Sequence, residues 1–409
     1  MKETGVISTG ERLKKASSPP IFNLFPGEEQ EVQLTQGSCY FRETSFPLDY
    51  RHGSNILEEA RDCTENSLEL LLREPPTKVY PWEGVFLDLE TTGLSGGSGT
   101  WAFMIGAGWV EDDQLKVRQY FLRRPGEERA MLCHFVQKFK DFDTLITFNG
   151  KAFDLPLLHN RQVMTGMTPL WKPANHVDLL HCARRIWKGI FASCSLTALE
   201  ENLIKFYREG DIPGEEIPEV YFQYLRRGET SRIKRVFEHN RWDIITMVAL
   251  VGVLGKLEQG DFWENASLEE VYALGNLLWK RGRISEAIEY FHRVKDEGST
   301  ALEKKALYAL GYIHKQRREW ESSVYFWENL LEKDSHSLDP CLELAKIYEH
   351  QTGEWQRAWS MTNEALNRAY RRYQMGGDEE EIVPLRHRLL RLEKKLSSPD
   401  AGSYSEKNW

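Results

Sequence analysis

A change in hydrophobic periodicity near Phe262 constrains the fold more than any other feature of the chain. Before it, apolar runs typical of strands occur first together and then between helical stretches, beginning with GVFLDLE, TWAFMIGAGWVED and LKVRQYFLRR. After it, residues 263–396 carry helical periodicity and no strand signal. This order predicts an α/β domain over residues 81–262, a mixed sheet flanked by helices, followed by an all-α domain.

The two ends of the chain carry weaker patterns. Residues 1–80 read as a polar N-terminal extension with turn signals and one helical stretch, ILEEARDCTENSLELLLRE. No function is predicted for this extension. The residues after Leu396 lack apolar periodicity, so we expect residues 397–409 to form a disordered tail.

The all-α region contains an internal repeat. Three segments align at offsets close to thirty-six: Ala273–Phe291, Ala309–Trp327 and Leu344–Thr362. Small residues recur at Gly275 and Gly311, whereas the third copy has Lys346. The pattern resembles the tetratricopeptide repeat, in which small residues let paired helices approach closely. Such repeats imply a protein partner bound on their concave face, with residues 384–396 as a capping helix.

Composition excludes several classes of protein. No apolar run approaches the roughly 20 residues of a membrane span, and the six cysteines form no C-x-x-C pair. We therefore expect a cytoplasmic protein without a membrane partner. The net charge of −9 disfavours strong non-specific binding to nucleic acid. A basic run, either a local contact patch or a solvated helix face, is nevertheless present: Arg226, Arg227, Arg232, Lys234, Arg235 and Arg241.

Two carboxylates lie at the end of the first strand of the α/β region. Asp88 and Glu90 are two positions apart in FLDLETTG, and residues at that spacing face the same side of a strand. Burying two unpaired like charges side by side is costly. A divalent cation with oxygen ligands between them would relieve the repulsion. The alternative is a solvated pair, since Asp-x-Glu is common.

Two further carboxylates and a histidine accompany this pair. Asp154 follows a strand and a glycine turn at the start of a predicted helix, where it could also be an N-cap. Asp243 lies in an otherwise apolar helix, and His239 precedes it by one turn on the same face. Asp178, in HVDLLH, lies where an accessory acidic residue of the site could sit, but it is interpreted as a helix N-cap.

These motifs resemble those of a known superfamily. FLDLETTGL is similar to the first motif of the DEDD exonucleases, TFNGKAFDLPLL to the second and HNRWD to the third. Their order and spacing cover about residues 81–262. The combination with downstream helical repeats resembles bacterial YprB-like proteins. The resemblance implies an RNase H-like fold and hydrolysis of nucleic acid from a single-stranded 3′ end, DNA or RNA, in the 3′→5′ direction.

The resemblance also implies roles for individual residues. Asp88, Glu90, Asp154 and Asp243 would bind two Mg²⁺ or Mn²⁺ ions about 4 Å apart, and His239 would orient the attacking water or take its proton. The substrate-binding residues would be Thr91, Thr92 and Asn149. The alternative for Thr91 and Thr92 is that their side chains bond within the turn and do not contact substrate.

The third motif departs from the superfamily pattern. One branch has histidine five positions before the final aspartate, and the other has tyrosine four positions before it. Here His239 occupies the tyrosine-type position and Glu238 the histidine-type position. Imidazole is the better base near neutral pH, so the substitution is chemically sensible. The reach of the His239 side chain is left open by the sequence.

The sequence leaves two alternative functions open. The chain could be an adaptor, with working repeats and a nuclease-like scaffold, although all four carboxylates are present. It could also be an endonuclease on a structured nucleic acid, with its cleft reshaped by SGGSG (Ser95–Gly99) and by residues 1–80.

Overall fold

The computed structural model describes residues 24–72, 79–93, 99–167, 171–258, 265–376 and 378–397. The chain divides into two units, residues 1–262 and 263–409. The predicted disordered tail lies outside the described residues except for Ser397. Of the glycine-rich segment that follows the first motif, only Gly99 is described.

A seven-stranded mixed sheet forms the centre of the first unit. Its strands are β1 (Glu29–Leu34), β2 (Gly37–Pro47), β5 (Val85–Thr91), β6 (Ala102–Glu111), β7 (Gln114–Phe121), β8 (Thr144–Thr147) and β9 (Asn175–Asp178). They are arranged in the order β1-β2-β7-β6-β5-β8-β9, and β3 (Arg51–His52) and β4 (Asn55–Ile56) pair separately. Strand β5 is antiparallel to β6 and parallel to β8, so the predicted mixed sheet is confirmed.

The first two strands come from the segment read as a polar extension. Strand β2 pairs with β1 on one side and with β7 on the other, both antiparallel. Strand β1 is an edge strand of half-buried and exposed residues, which explains its weak apolar signal. The predicted helical stretch forms a 3₁₀ helix, Leu57–Asp62, and then α1 (Glu65–Leu71). Residues 29–47 are therefore part of the sheet.

Helices lie beside the sheet as predicted. They are α1, α2 (Glu128–Phe139), α3 (Asp154–Met164), α4 (Leu179–Trp187), α5 (Leu196–Leu199), α6 (Ile217–Arg227) and α7 (Ile233–Gly255). Helices α6 and α7 are separate, because α6 ends at Arg227 and its C-cap, Gly228, has a left-handed φ of +71°. Helix α7 packs against β5, β6 and β7 and against the 3₁₀ helix.

Every regular element described in the second unit is a helix, as predicted. The helices are α8 (Leu268–Lys280), α9 (Ile284–Glu297), α10 (Thr300–Gln316), α11 (Trp320–Lys333), α12 (Asp339–Ile347), α13 (Trp355–Gln374) and α14 (Ile382–Leu396). Each contacts the next along the chain. A Cβ on Gly311 would lie 2.7 Å from the Trp327 ring, so this position needs glycine. Lys346 is instead ion-paired with Glu343 at 2.7 Å. The tetratricopeptide assignment stays a prediction.

Membrane insertion of a helix finds no support in the described part of the chain, where none is both long enough and apolar enough to span a bilayer.

Candidate metal centre

The first two candidate ligands lie on β5, the strand between β6 and β8. Asp88 and Glu90 alternate with the buried residues Leu87 and Leu89, so the two carboxylates share the face that meets α7. Asp88 is partly buried, and Glu90 is only 8% exposed. The sheet therefore holds two acidic side chains under a helix, where water reaches them poorly.

A neutral side chain from α7 fixes Asp88. Asn240, which is fully buried, donates from Nδ2 to Oδ2 of Asp88 at 2.8 Å. Its own Oδ1 accepts from Nε2 of Gln119 at 3.0 Å. Gly106 lies between Asp88 and Gln119 in the strand register, and a Cβ there would lie 2.2 Å from Asn240 Oδ1. The glycine therefore makes room for the amide that orients Asp88.

Sequence reasoning missed Asn240, although a signal was present. Glycine inside a strand often marks the close approach of another backbone or side chain, and β6 contains Gly106 and Gly108 two positions apart. A Cβ on Gly108 would lie 2.5 Å from Ile244 Cγ2. Asn240 and Ile244 are one helical turn apart, so the two glycines form the surface on which α7 rests.

Asp243 and His239 are brought together on α7, as their spacing predicts. Oδ2 of Asp243 lies 3.5 Å from Nε2 of His239, and each side chain is 15% exposed. Glu238, at the alternative histidine-type position, instead pairs with Arg42 of β2 at 2.9 Å. The helix thus presents the imidazole, and not the Glu238 carboxylate, to Asp243.

A segment that sequence reasoning passed over crosses this face of α7. We call residues 208–212 the strap. Arg235 donates to the carbonyl oxygens of Gly210, at 2.9 Å, and Asp211, at 2.5 Å. Oδ1 of Asp211 lies 2.9 Å from Nδ1 of His239, and Arg208 donates to Oδ1 of Asp243 at 2.6 Å. The three α7 residues are spaced four apart, so one helical stripe holds the strap.

The arginine of the strap is itself anchored in the interior. Arg208 Nε donates to Oε2 of Glu200 at 2.7 Å, and the two side chains are 3% and 0% exposed. Glu200 also bonds His52 at 3.2 Å and the hydroxyl of Thr246. Burial raises the pKa of Glu200, but the bonds from His52 and Arg208 outweigh it and lower that pKa overall. Glu200 is thus an ionised partner that holds Arg208 in place.

Asp154 occupies the first position of α3 and is not its cap. The residue before the helix, Phe153, makes no side-chain capping bond. The loop before Asp154 is held by Asp178, which accepts from the backbone N–H of Asn149 at 2.8 Å and of Lys151 at 3.0 Å. Asp178 also caps α4 through Leu180 N–H at 3.1 Å, so the N-cap interpretation is confirmed. The sequence pattern did not predict that Asp178 also holds the loop before Asp154.

The electrostatics join these groups into one site. Burial and the charges of Asp243 and Glu90 raise the pKa of Asp88 well above its ordinary value. Burial raises the pKa of Glu90 to about 8, against the opposing effect of His239. Burial and the Asp178 charge raise the pKa of Asp154 to about 7, with a smaller contribution from Asp243. Carboxylates this crowded need a compensating positive charge to remain ionised at neutral pH.

His239 supplies part of that charge. Burial lowers the pKa of His239, but the hydrogen bond to Asp211 and the charges of Asp243 and Glu90 outweigh it and raise that pKa to about 9. A protonated imidazole is one way to offset the carboxylates, and a metal ion is the stronger one.

The residues fit a divalent ion. Among the described residues, one group of possible ligands has its donor atoms within 4.8 Å of one another: Glu90, His239 and Asp243. Oε1 of Glu90 is buried and has no hydrogen-bond partner in the part of the chain that the structure describes, although buried carboxylate oxygens are normally bonded. Asp88 and Asp154 fall outside that tight group, but the charge of Asp154 contributes to the raised pKa of Asp88.

The predicted substrate-binding residues make local contacts. Thr91 Oγ1 donates to the Gly93 carbonyl at 3.0 Å, and Thr92 Oγ1 accepts from Trp101 N–H at 2.9 Å. The Thr91 bond is local to the turn, and the Thr92 bond joins the two ends of the β5–β6 connection. Neither bond tests a role with substrate. Asn149 adopts a left-handed conformation, with φ of 68°, in the loop beside Asp154.

The basic run is largely neutralised. Four of its arginines pair with glutamates: Arg226 with Glu219, Arg227 with Glu229, Arg232 with Glu216 and Arg241 with Glu238. Arg235 holds the strap, as described above. This favours the solvated-face interpretation over a free cationic patch.

Comparison with known proteins shows the superfamily of the first unit. The family model described as the RNase_H superfamily matches residues 85–254, which include all four carboxylates and His239. Over 370 residues the chain is 30% identical to "Uncharacterized protein YprB" of Bacillus subtilis (strain 168), and the match covers 88% of this chain and 87% of that protein.

The chain belongs to the YprB-like family of the RNase H superfamily. Because the match covers 88% of the chain, the similarity extends from the first unit into the helical unit. Membership in the RNase H superfamily indicates a nuclease-type function, with nucleic acid as the substrate class and divalent metal as the usual cofactor class.

Proposed function

We propose that this RNase H-superfamily protein is a metal-dependent phosphodiester hydrolase, and specifically a 3′→5′ exonuclease acting on single-stranded ends of DNA or RNA. The observation that carries the proposal is the group of donor atoms of Glu90, His239 and Asp243, which lie within 4.8 Å of one another, with Asp88 two positions from Glu90 on the same strand. Asp154, at the start of α3, contributes its charge to the raised pKa of Asp88. Three of these carboxyl groups have raised pKa values.

The four carboxylates would hold two Mg²⁺ or Mn²⁺ ions. Such ions lower the pKa of a bound water and stabilise the developing charge on the leaving 3′-oxygen. The protein fixes the ligands beforehand: Asn240 orients Asp88, and Arg208 orients Asp243. Preorganised ligands lower the cost of assembling the site during the reaction.

His239 belongs to the proposed catalytic set, since it lies beside Glu90 and Asp243. Two roles suit a neutral imidazole in this position: a base for the attacking water, or a ligand of an ion. Thr91, Thr92 and Asn149 are proposed to contact the terminal nucleotide. Phe153, which is 53% exposed next to Asp154, offers a ring on which a base could stack.

End-labelled oligonucleotides test the proposal. Single-stranded DNA and RNA, labelled at either end, are incubated with the full chain and Mg²⁺, Mn²⁺ or a chelator. We expect 5′-labelled substrate to shorten stepwise from its 3′ end with metal and to stay intact with chelator. The Asp154→Asn variant should lose this activity.

A matched control keeps the test specific. Asp112 is exposed in the β6–β7 turn with φ of 53°, a conformation that asparagine tolerates, so Asp112→Asn should leave activity unchanged. Internal cuts would replace the exonuclease proposal with the endonuclease alternative. No cleavage together with no metal binding would favour the adaptor alternative.

The helical unit is proposed to bind a protein partner, and the protein is proposed to act in the cytoplasm. Within the described residues of this unit, each helix packs on the next, as in repeat proteins that bind partners. A pull-down with residues 263–409 deleted from one arm would test the first point, since the partner should be retained only by the full chain.

A further inference from the structure

The two ring nitrogens of His239 have different surroundings. Nδ1 lies 2.9 Å and 3.1 Å from the two carboxylate oxygens of Asp211. Nε2 faces Oδ2 of Asp243 at 3.5 Å. When a carboxylate accepts the Nδ1 proton, it leaves Nε2 with a lone pair directed away from it. Once a bound cation has displaced the second proton of the imidazole, that lone pair faces Oδ2 of Asp243 in the donor group that includes Glu90.

We propose that Nε2 of His239 is a direct ligand of a divalent ion, together with the carboxylates of Glu90 and Asp243. This rests on the proposed function for the presence of a metal, but it assigns a nitrogen ligand to a site so far described with oxygen ligands only. It also replaces the role of general base for His239, since a coordinated nitrogen has no lone pair with which to take a proton.

The distances suit a shared ion. Ligands about 2.1 Å from an ion lie about 3.0 Å apart when at right angles and about 4.2 Å apart when opposite. His239 and Asp243 are separated by 3.5 Å, and all three donor atoms lie within 4.8 Å of one another. The separation of His239 and Asp243 thus falls between the two values expected for ligands of one ion.

The helix supplies the right spacing. His239 and Asp243 are four residues apart on α7, so both project from the same face one turn from each other. Pairs of ligands at this spacing on a helix bind a single ion in other metalloproteins. Glu238, one position before His239, is ion-paired with Arg42, so its carboxylate is not available as a metal ligand.

Each of the two helical ligands is oriented by the strap. Arg208 donates to Oδ1 of Asp243, so Oδ2 is left facing His239. Asp211 accepts from Nδ1 of His239, so Nε2 is left facing Asp243. Arg208 also contacts Asp211 at 3.4 Å. Metal-binding histidines typically donate their other N–H to a carboxylate in this way, which fixes the tautomer and the ring orientation.

Glu90 gives an independent indication of a ligand. It is more than nine-tenths buried, and its Oε1 lacks a hydrogen-bond partner among the described residues. An unbonded buried carboxylate oxygen is costly unless a cation meets it. The Glu90 carboxylate belongs to the same group of donor atoms as His239 and Asp243.

The donor set predicts which metals bind. Mg²⁺ prefers oxygen ligands in near-ideal octahedra, whereas imidazole favours first-row transition ions. We therefore expect the site to prefer Mn²⁺ over Mg²⁺, and to lose that preference when the nitrogen is removed.

Pulsed electron paramagnetic resonance of Mn²⁺ tests the ligand directly. The full-length protein is loaded with one equivalent of Mn²⁺, and coupling to a coordinated ¹⁴N is measured by electron spin-echo envelope modulation. We expect the ¹⁴N signal of an imidazole in the wild-type protein and its loss in His239→Gln. Glu238→Gln, the neighbouring control, should keep it.

Titration of Mn²⁺ and Mg²⁺ gives the second readout. His239→Gln should weaken Mn²⁺ binding more than Mg²⁺ binding. Asp211→Asn should keep the ¹⁴N signal and weaken Mn²⁺ binding about 10- to 100-fold, as loss of an outer hydrogen-bond partner typically does. Circular dichroism of each variant checks that the fold is kept.

The outcomes separate this inference from the proposed function. Mn²⁺ bound without any ¹⁴N coupling, or unchanged coupling in His239→Gln, would overturn the inference while leaving the nuclease proposal standing. A ¹⁴N signal in a protein that cleaves no nucleic acid would support the inference and overturn the nuclease proposal. Absence of Mn²⁺ binding would overturn both.

Discussion

The site has two halves that are held in different ways. In the neutral half, Asp88 is bonded by the amide of Asn240, and the charged form of Asp154 is favoured by its own backbone N–H at the start of α3. In the charged half, Asp243 is bonded by Arg208, and His239 by Asp211. Glu90, whose carboxylate neighbours His239, belongs to this second half.

The two halves use different kinds of hydrogen-bond partner to orient a candidate metal ligand. Neutral donors orient a carboxylate without cancelling its charge, so the repulsion remains until an ion arrives. Charged partners orient more strongly, because charge-assisted hydrogen bonds are stronger than neutral ones, but they also offset part of the repulsion. We therefore expect variants in the neutral half to change activity most, and variants in the charged half to change stability as well.

The largest effect is expected for Asp88→Asn in the neutral half. Loss of this proposed metal ligand should lower kcat/KM on the order of 10³-fold, since metal ions contribute several kcal/mol of transition-state stabilisation. The metal-free variant should melt at the same or a higher temperature than wild type, because the pKa of Asp88 is raised by burial and by nearby charges. Nuclease assays measure the change in kcat/KM, and calorimetry measures the change in melting temperature. An Asp88→Asn variant that is active but less stable than wild type would contradict the comparison of the two halves.

In the charged half, Arg208→Met should destabilise the protein by about 3 kcal/mol or more, because breaking a buried ion pair from one side is costly. The variant leaves Glu200 buried without its main cationic partner. Urea denaturation at neutral pH measures the loss. Arg227→Met is the control, since that side chain is 71% exposed and its ion pair is 3.6 Å long. Equal stability of the two variants would show that Arg208 is not an anchor.

A smaller effect is expected for Gly106→Ala, which tests the support of the neutral half. The added Cβ would meet the amide of Asn240, so either the helix or the amide must shift. Overpacking of this kind typically costs about 1–3 kcal/mol, and activity should fall because Asp88 loses its oriented donor. Gly126→Ala is the control, since no atom lies within 4 Å of the Cβ it would add. A thermal-shift assay with activity measured in parallel distinguishes the two.

The smallest effect concerns pH. The pKa values of Glu90, Asp154 and His239 are raised on folding, to about 8, about 7 and about 9. A group with a raised pKa stabilises the folded protein fully below its unfolded pKa and loses that contribution as pH rises through the folded pKa. For Glu90 the window runs from 4.5 to about 8.

The metal-free protein should therefore lose stability across that window, and Glu90→Gln should lose less. We expect the melting temperature of Glu90→Gln to exceed that of wild type by a few degrees more at about pH 8 than at about pH 5. Glu111→Gln, at the exposed end of β6, should follow wild type. Added Mn²⁺ should reverse the order of Glu90→Gln and wild type at the higher pH. Parallel curves at both pH values would mean that Glu90 titrates normally.

Much of the candidate site could be predicted because its proposed ligands interrupt local patterns. Asp88 and Glu90 interrupt an apolar strand, and Asp243 interrupts an apolar helix. Such interruptions are visible in a short window, since burial of an unpaired charge is costly. The residues that orient these ligands do not interrupt a local sequence pattern. Asn240 bonds Asp88 across 152 positions of sequence, and it is an ordinary helix residue by pattern.

The sheet shows the same division. Strands β5 to β7 are buried on both faces or one face, so their apolar runs predict them. Strand β1 is an edge strand that takes its stability from pairing with β2, and its own residues are half-buried at most. Backbone pairing with a neighbour has little dependence on side-chain type, which is why residues 29–34 read as polar loop.

By itself, the sequence predicted the two-part architecture and the mixed sheet from periodicity. It marked Asp88, Glu90 and Asp243 as charges in apolar elements, and the resemblance of its motifs to the DEDD exonucleases joined them with Asp154 and His239 into one candidate site. Only the tertiary structure decided which atoms of those residues face one another. Asp211 of the strap lies 28 positions from His239 in sequence and orients its imidazole. The lack of a side chain at Gly106 leaves room for Asn240, which orients Asp88. These placements are set by packing between distant segments, whose partners no local pattern encodes.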